Sequence, residues 1–511
     1  MATSFSTVQY LVLVLYVLVS VVVGLRFARS QSTVESYYLA ERSAPWWAVA
    51  ISIYSADVTA ISYLGCAALV FSGDLQLLVG SFAQPFAALF VSWVFIPFLA
   101  KKNVFTAYEY LEDRFSVEVR TLASALFALM RGSHLSVALY AASLVLTQVM
   151  GIPTWGSLAM LGGLTTLYTV FGGMKAALWT DVIQSFVLIG GLLAVITGVA
   201  MAFHWELSSV WQIASRPFPV NAPWLAGQFD SSGHTRLFNL RTSLYQMTLW
   251  SVVVRTFLES VGSYGSDQVF VQRYLAAGSR RKMVASIVVG SLIAVLGTVL
   301  MFGAGVFLVA YYSHFLNTAS HPWVAGLTDS NRVMIDFISH GLPGTLAVIV
   351  IAGLFAGTMS SFSAGLNSLS TATYIDFIVR FRNDRKGKIQ GVTLARAVTC
   401  IWGLVIILVS VLIRGNDTIL ATLAKVMSPF GGPLLGMFLL GMLSKRANSF
   451  GVLAGAIIGA SSTVFVTYFT PIHWTWYFAI GCLGGFASGY VLSFLSSPRT
   501  TNKQVNAIPN H

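Results

Sequence analysis

Charged side chains are scarce in this 511-residue chain: Asp, Glu, Lys and Arg make up 9%, or 48 residues, of which 30 are basic and 18 acidic. A soluble protein of this length carries about a quarter charged residues, roughly 128. With 56% of its residues drawn from AVILMFWYC and a mean hydropathy of +0.76, the chain cannot cover itself with a water-compatible surface. A soluble globular protein is excluded, and an all-α polytopic membrane protein is implied. Cysteine is scarce too. Cys66, Cys400 and Cys482 lie in apolar stretches without metal-ligand spacing, so neither a disulfide framework nor a zinc site is implied. The eight histidines form no HExxH pattern and no Gly-x-Ser-x-Gly turn occurs, which removes the usual signatures of an intramembrane enzyme.

What the chain has in abundance is long apolar runs. A spanning helix needs about 20 mostly apolar residues, and thirteen stretches qualify: roughly 8–27, 46–71, 76–100, 118–150, 154–173, 177–203, 239–266, 283–312, 335–366, 391–413, 418–443, 448–469 and 474–496. They are numbered here as spans 0 to 12. Span 0 is too long for a signal peptide, has no basic residue before it and no small-residue cleavage site after it, so it reads as a retained span.

The basic residues set the expected orientation. With the N-terminus outside and the C-terminus cytoplasmic, 22 of the 30 fall in inner loops and the tail, among them Arg29, Lys101, Lys102, Arg273, Arg281, Arg385 and Lys503. Five lie outside (Arg216, Arg236, Arg241, Arg332, Arg414) and three within spans (Arg131, Arg255, Lys425). The net charge of +12 is therefore topological, and nucleic-acid binding loses its support. The longest outer loop, 204–238, separates spans 1–5 (residues 46–203) from spans 6–10 (residues 239–443). Residues 1–45 precede them as an extra helix and inner loop, and residues 444–511 follow as two helices and a short tail. A five-plus-five division is what an inverted-repeat transporter has.

Ionisable groups inside a bilayer are costly, so each one within a span is a functional candidate. Span 1 carries Tyr-Ser-Ala-Asp-Val-Thr-Ala-Ile-Ser at 54–62, with Asp57 near mid-bilayer and Ser55, Thr59 and Ser62 around it. Such a segment suits a broken helix whose freed carbonyls line a cavity; a buried Asp paired with a neighbouring Arg is the plainer reading. Span 8 carries Ser360, Ser361 and Ser363, with Gly357 one turn earlier where another backbone could approach. Hard cations such as sodium take several oxygens of this kind, although small residues also serve close helix packing. Asp181, in span 5, falls at a depth compatible with Ser360–Ser363, and Ser55 comes near the same level. Three separately read segments thus converge on one layer. Arg131 and His134 share a face of span 3, and Lys425 precedes a breaker-rich stretch, Ser428-Pro-Phe-Gly-Gly-Pro433. Those three are either counter-ions for buried acids or the lining of a solute cavity. Arg255 and Glu259, at i and i+4, read as an internal ion pair.

Four segments together resemble the sodium:solute symporters: Phe-Gly-Gly-Met-Lys-Ala-Ala-Leu-Trp-Thr-Asp-Val-Ile-Gln at 171–184, Thr-Ala-Tyr-Glu-Tyr-Leu-Glu-Asp-Arg-Phe at 106–115, Asp-Gln-Val-Phe-Val-Gln-Arg-Tyr at 267–274 and Ser-Ser-Phe-Ser-Ala-Gly-Leu-Asn-Ser at 360–368. The resemblance implies a LeuT-type 5+5 inverted repeat of about 13 helices working by alternating access, with sodium as coupling ion, no cofactor, a plasma (inner) membrane location and a monomer as the expected state. It implies a sodium site at Ser55, Val58, Gly357, Ser360 and Ser361. A second sodium would lie at Asp181, Ser360 and Ser363, where Ala364 stands in place of a further hydroxyl. Asp57 matches an acid that proline permeases link to sodium, whereas Thr59, Ala60, Ser62 and His134 fall on substrate positions of sialic acid transporters. Solute contacts are accordingly expected from Thr59, Ser62, Ser81, Arg131, His134 and Lys425. The implied solute is a sugar or sugar acid such as a sialic acid, with an amino acid or short carboxylate as alternative. A membrane-embedded solute sensor is the alternative of another class.

Overall fold

The computed structural model describes residues 7–27, 31–100, 104–216, 235–316, 323–324, 327, 329–381, 391–413 and 419–495. All regular structure among them is helical, as a chain in lipid requires when each backbone N–H and C=O must be satisfied within its own segment. In chain order the helices are α1 (Thr7–Arg26), α2 (Val34–Leu39), α3 (Trp46–Asp57), α4 (Ala60–Ser72), α5 (Gln76–Ser81), α6 (Gln84–Val94), α7 (Ile96–Leu99), α8 (Glu109–Arg114), α9 (Val117–Met150) and α10 (Thr154–Ala202). After them come α11 (Leu207–Ala214), α12 (Leu249–Ser266), α13 (Gln268–Leu275), α14 (Arg280–Phe315), α15 (Val333–Asp336), α16 (Gly344–Ala372), α17 (Gly391–Leu412), α18 (Ile419–Leu443), α19 (Ser449–Phe469) and α20 (Tyr477–Leu492). Residues 217–234 of the outer loop, the whole 382–390 basic loop and the tail beyond 495 lie outside the described residues, as do Arg29, Lys101, Lys102, Arg385, Arg414 and Lys503.

Nine described helices are long and apolar enough to cross a membrane, or ten when the bent pair α3 and α4 counts as one span. Residues 154–202 are two helices that meet at a kink at Gly173, whose φ of +58° and ψ of −155° are not helical, as the expected spans at 154–173 and 177–203 require, so eleven of the expected thirteen spans are found among the described residues. The other two are shorter or more polar. The helix at 249–266 carries Arg255 and Glu259, and the one at 477–492 has only 16 residues. Gly173 makes its turn at φ +58°, and a β-carbon there would lie 2.8 Å from the Tyr37 carbonyl oxygen, so a side chain meets both strain and a clash.

Two breaks position the site. Between α3 and α4 the axis bends by 59°. Val58 and Thr59 are extended there, and the Thr59 hydroxyl accepts the Ile61 N–H at 3.0 Å, restarting the helix. Between α12 and α13 the extended Asp267 performs the same service, its carboxylate accepting the Val269 N–H at 2.9 Å. Around these breaks α10 packs along α16, with α3 against both. Pro429 and Pro433 do not break α18, which runs through both.

One end of the bundle is tied by ions. Arg120 of α9 bonds Asp376 at 2.6 and 2.8 Å, and Asp376 also accepts from Thr106 and Ser124. Glu112 of α8 bridges Arg120 at 2.8 Å and Arg380 at 2.7 Å. Burial pushes the Glu112 carboxyl up, but the Arg380 and Arg120 guanidiniums outweigh it and hold it below the usual carboxylate range.

Candidate functional site

The last turn of α3 leaves carbonyls without intrahelical donors, because the helix stops at Asp57. They face α16. A β-carbon on Gly357 would sit 3.2 Å from the Val58 oxygen, so the missing side chain is what lets the two backbones approach. The Ser55 hydroxyl is buried there without a hydrogen-bond partner. Ser361 donates to the Gly357 carbonyl at 2.9 Å, which leaves its lone pairs free to face an ion. Val58 and Gly357 are thus brought together across the two helices, Ser361 stands one turn from Gly357 on α16, and Ser360 beside it turns its hydroxyl to Asp181.

Asp181 is the centre of a second arrangement. It accepts from Ser360 at 2.6 Å, from Ser52 at 2.5 Å and from Arg273 at 3.0 Å, while the Arg273 Nε donates to Ser52 at 2.8 Å. Asp181 and Arg273 are both 0% exposed. Arg273 is therefore not the loop cation its place in the charge count suggested: α13 carries it into the bundle, where a buried carboxylate needs a paired charge. Ser363, one turn from Ser360, and Gln184, one turn from Asp181, are buried beside the Tyr168 hydroxyl; Ala364 is buried and supplies no oxygen. Ser52 carried no distinguishing signal in the sequence.

A cavity opens on the other side of the α3–α4 break. Its two lobes, about 190 and 210 Å³, share Asp57, Ser62, Arg255, Glu259 and Ser263. Ser81 lines one lobe; Thr59, Arg131 and His134 line the other. Arg131 is bonded to Asp267 at the second break, and its other nitrogen lies 2.7 Å from His134 Nδ1. The counter-ion of Arg131 is thus Asp267 and not Asp57. Lys425 is not among the lining residues; α18 turns Leu420, Leu423, Ala424, Met427 and Gly431 to the cavity instead. The Arg255–Glu259 pair forms as expected, at 2.9 Å, yet it also walls both lobes, with Arg255 4.6 Å above the Trp474 ring. Its i, i+4 spacing could not say which face was wet.

Comparisons with known proteins bear on this geometry. The model of the sodium:solute symporter family matches residues 37–459. A sodium/sialic acid symporter of Aliivibrio fischeri is 26% identical over 497 residues, covering 96% of this chain and 94% of its own. A sodium-dependent multivitamin transporter of Oryctolagus cuniculus is 30% identical over 465 residues, covering 89% of this chain and 70% of its own. The solved structure of a substrate-bound, outward-open Na+-coupled sialic acid symporter superposes with a TM-score of 0.84 at 24% identity, over 97% of this chain and 99% of that one, a likeness of fold.

Proposed function

The chain belongs to the sodium:solute symporter family, and from that premise we propose that it imports a small polar solute, a sugar or sugar acid such as a sialic acid, by sodium-coupled alternating access. The observation that carries this is the break at Val58–Thr59, whose Val58 carbonyl meets Gly357 of α16 while its residues also line the cavity. Sodium at Ser55, Val58, Gly357, Ser360 and Ser361 would tie α3 to α16 and so shape the cavity walled by α4, α5, α9, α12 and α18. The ion favours the binding-competent state only through its higher affinity for that state. Asp181, Ser360 and Ser363 would hold a second ion, for which Arg273 is the standing competitor.

The solute would meet Thr59, Ser62, Ser81, Arg131 and His134. Each lobe is smaller than the roughly 300 Å³ at which drug-sized pockets begin, which suits a compact hydrophilic molecule. That small size also supports the second reading, an amino acid or short carboxylate. The positive-inside distribution supports an outer N-terminus and a cytoplasmic C-terminus.

Counterflow in proteoliposomes tests the reading. Solute exchange that requires sodium is expected; exchange indifferent to sodium, or solute binding without any exchange, would overturn it, the latter in favour of a sensor. Across 100 mV one positive charge is worth about 2.3 kcal/mol, roughly fifty-fold in accumulation, so an inside-negative potential should stimulate uptake of a neutral solute.

A further inference from the structure

The charges around the cavity do not balance, and the imbalance falls on one residue. Asp57, Glu259, Asp267, Arg131 and Arg255 line its lobes. Glu259 is paired with Arg255 and Asp267 with Arg131. His134 adds no charge to offset Asp57: Arg131 can only donate, so the ring nitrogen facing it accepts. Three carboxylates therefore meet two guanidiniums, and Asp57 has no basic group within ion-pair distance among the described residues.

Asp57 is also where the break opens to the cavity. Its neighbours Tyr54, Ser55, Ala56, Val58, Thr59 and Ala60 are between 0 and 4% exposed, whereas Asp57 is exposed. Helical geometry separates it from Ser55: Asp57 lies about 200° round the helix from Ser55, and Asp57 lines both lobes whereas the buried Ser55 lines neither. An unpaired carboxylate facing a protein-walled cavity is costly to keep charged, and a cationic group on an incoming ligand removes that cost.

We propose that Asp57 anchors a protonated amine of the solute, which narrows the transported class to sugars, sugar acids and amino acids with a free amine and disfavours sialic acids whose nitrogen is acylated. The proposal rests on the cavity being the solute site. Thr59, Ser62 and Ser263 stand beside Asp57 to take hydroxyls, and a carboxylate on the same molecule would draw Arg131 away from Asp267. Asp57 then recognises the solute and leaves the ion site to Ser55, Val58, Gly357 and Ser361.

Matched pairs test it: glucosaminate against gluconate, glucosamine against glucose, and proline against cyclopentanecarboxylate, each titrated in sodium by thermal shift of the purified protein and as a competitor in sodium-driven uptake. In the wild type at least one amine-bearing member should act at about ten- to hundredfold lower concentration than its counterpart, the discrimination a charge-assisted hydrogen bond gives. In Asp57→Asn that preference should collapse, and in Asp57→Glu it should partly persist. If no amine-bearing member outdoes its counterpart, or if the preference survives Asp57→Asn, the assignment is wrong. A rise in the sodium requirement of Asp57→Asn with the preference intact would instead make Asp57 a sodium group. Sodium-dependent uptake of the amine-free members alone would leave the symporter reading standing without this anchor.

Discussion

Gly357 on α16 faces the Val58 carbonyl at the end of the broken helix so closely that a β-carbon would come within 3.2 Å of the oxygen, with Leu188 at 3.1 Å on another side. The contact joins the two halves of the proposed ion site through backbone alone. Gly357→Ala should raise the sodium concentration for half-maximal uptake several-fold, because neighbours must yield by only tenths of an ångström. Gly357→Val should abolish sodium-driven uptake. Gly163, whose β-carbon position has nothing within 4 Å, is the control, and Gly163→Ala should leave uptake unchanged.

Ser361 and Ser360 should separate in a sodium titration. Ser361 donates only to carbonyls of its own helix, so Ser361→Ala removes a ligand oxygen and should weaken sodium about tenfold, or roughly 1.4 kcal/mol. Ser360→Ala also removes a hydrogen bond to buried Asp181, so it should lower the melting temperature as well as the apparent sodium affinity. Equal effects of the two variants on both readouts would contradict the geometry.

Arg273 and Asp181 form a fully buried pair, and the cost of breaking one comes from the charge left behind. Arg273→Gln should destabilise the protein by about 3–5 kcal/mol. Adding Asp181→Asn should recover part of the loss, and thermal unfolding of the two variants in detergent measures the coupling. Purely additive losses would show that the pair does not act as one unit.

Glu112 gives the ion-pair cluster a predictable response to acid. Its carboxyl is held below its ordinary value of 4.5 by the two guanidiniums, despite burial acting the other way. A group with a depressed folded pKa contributes stability that is present above the unfolded value and lost as pH falls through the folded one. The melting temperature of the wild type should therefore exceed that of Glu112→Gln by a constant margin above about pH 5, and the margin should close below the ordinary value. A margin that widens in acid would refute the assignment.

Orientation is open to thiol labelling. Cys66 and Cys482 are buried and Cys400 is exposed, so a Cys400→Ser background leaves little native reactivity. An impermeant maleimide applied to whole cells should label Glu206→Cys and spare Arg281→Cys, both exposed positions. The opposite pattern would invert the topology.

Much of the site was legible because a bilayer makes polar residues conspicuous. Asp57 with its hydroxyl neighbours, the span 8 serines and Gly357 stood out against apolar surroundings, and the broken helix followed from them. Lys425 stood out for the same reason but is not among the cavity's lining residues, since a charge within a span says nothing about which way its helix is turned. The helix count was less legible at 249–266, where Arg255 and Glu259 lower the hydropathy of a helix whose polar face lines the cavity.

The sequence by itself determined the solvent, the all-helical class and the few polar positions worth a function, because burying backbone in lipid leaves almost no other solution. Only the tertiary structure decided how those positions pair. Arg273 reaches Asp181 across 92 residues and Arg131 reaches Asp267 across 136, and no local pattern encodes either partnership. Once those cations were spoken for, Asp57 remained a carboxylate facing the cavity with no ion-pair contact among the described residues, since pairing is settled in space and not along the chain.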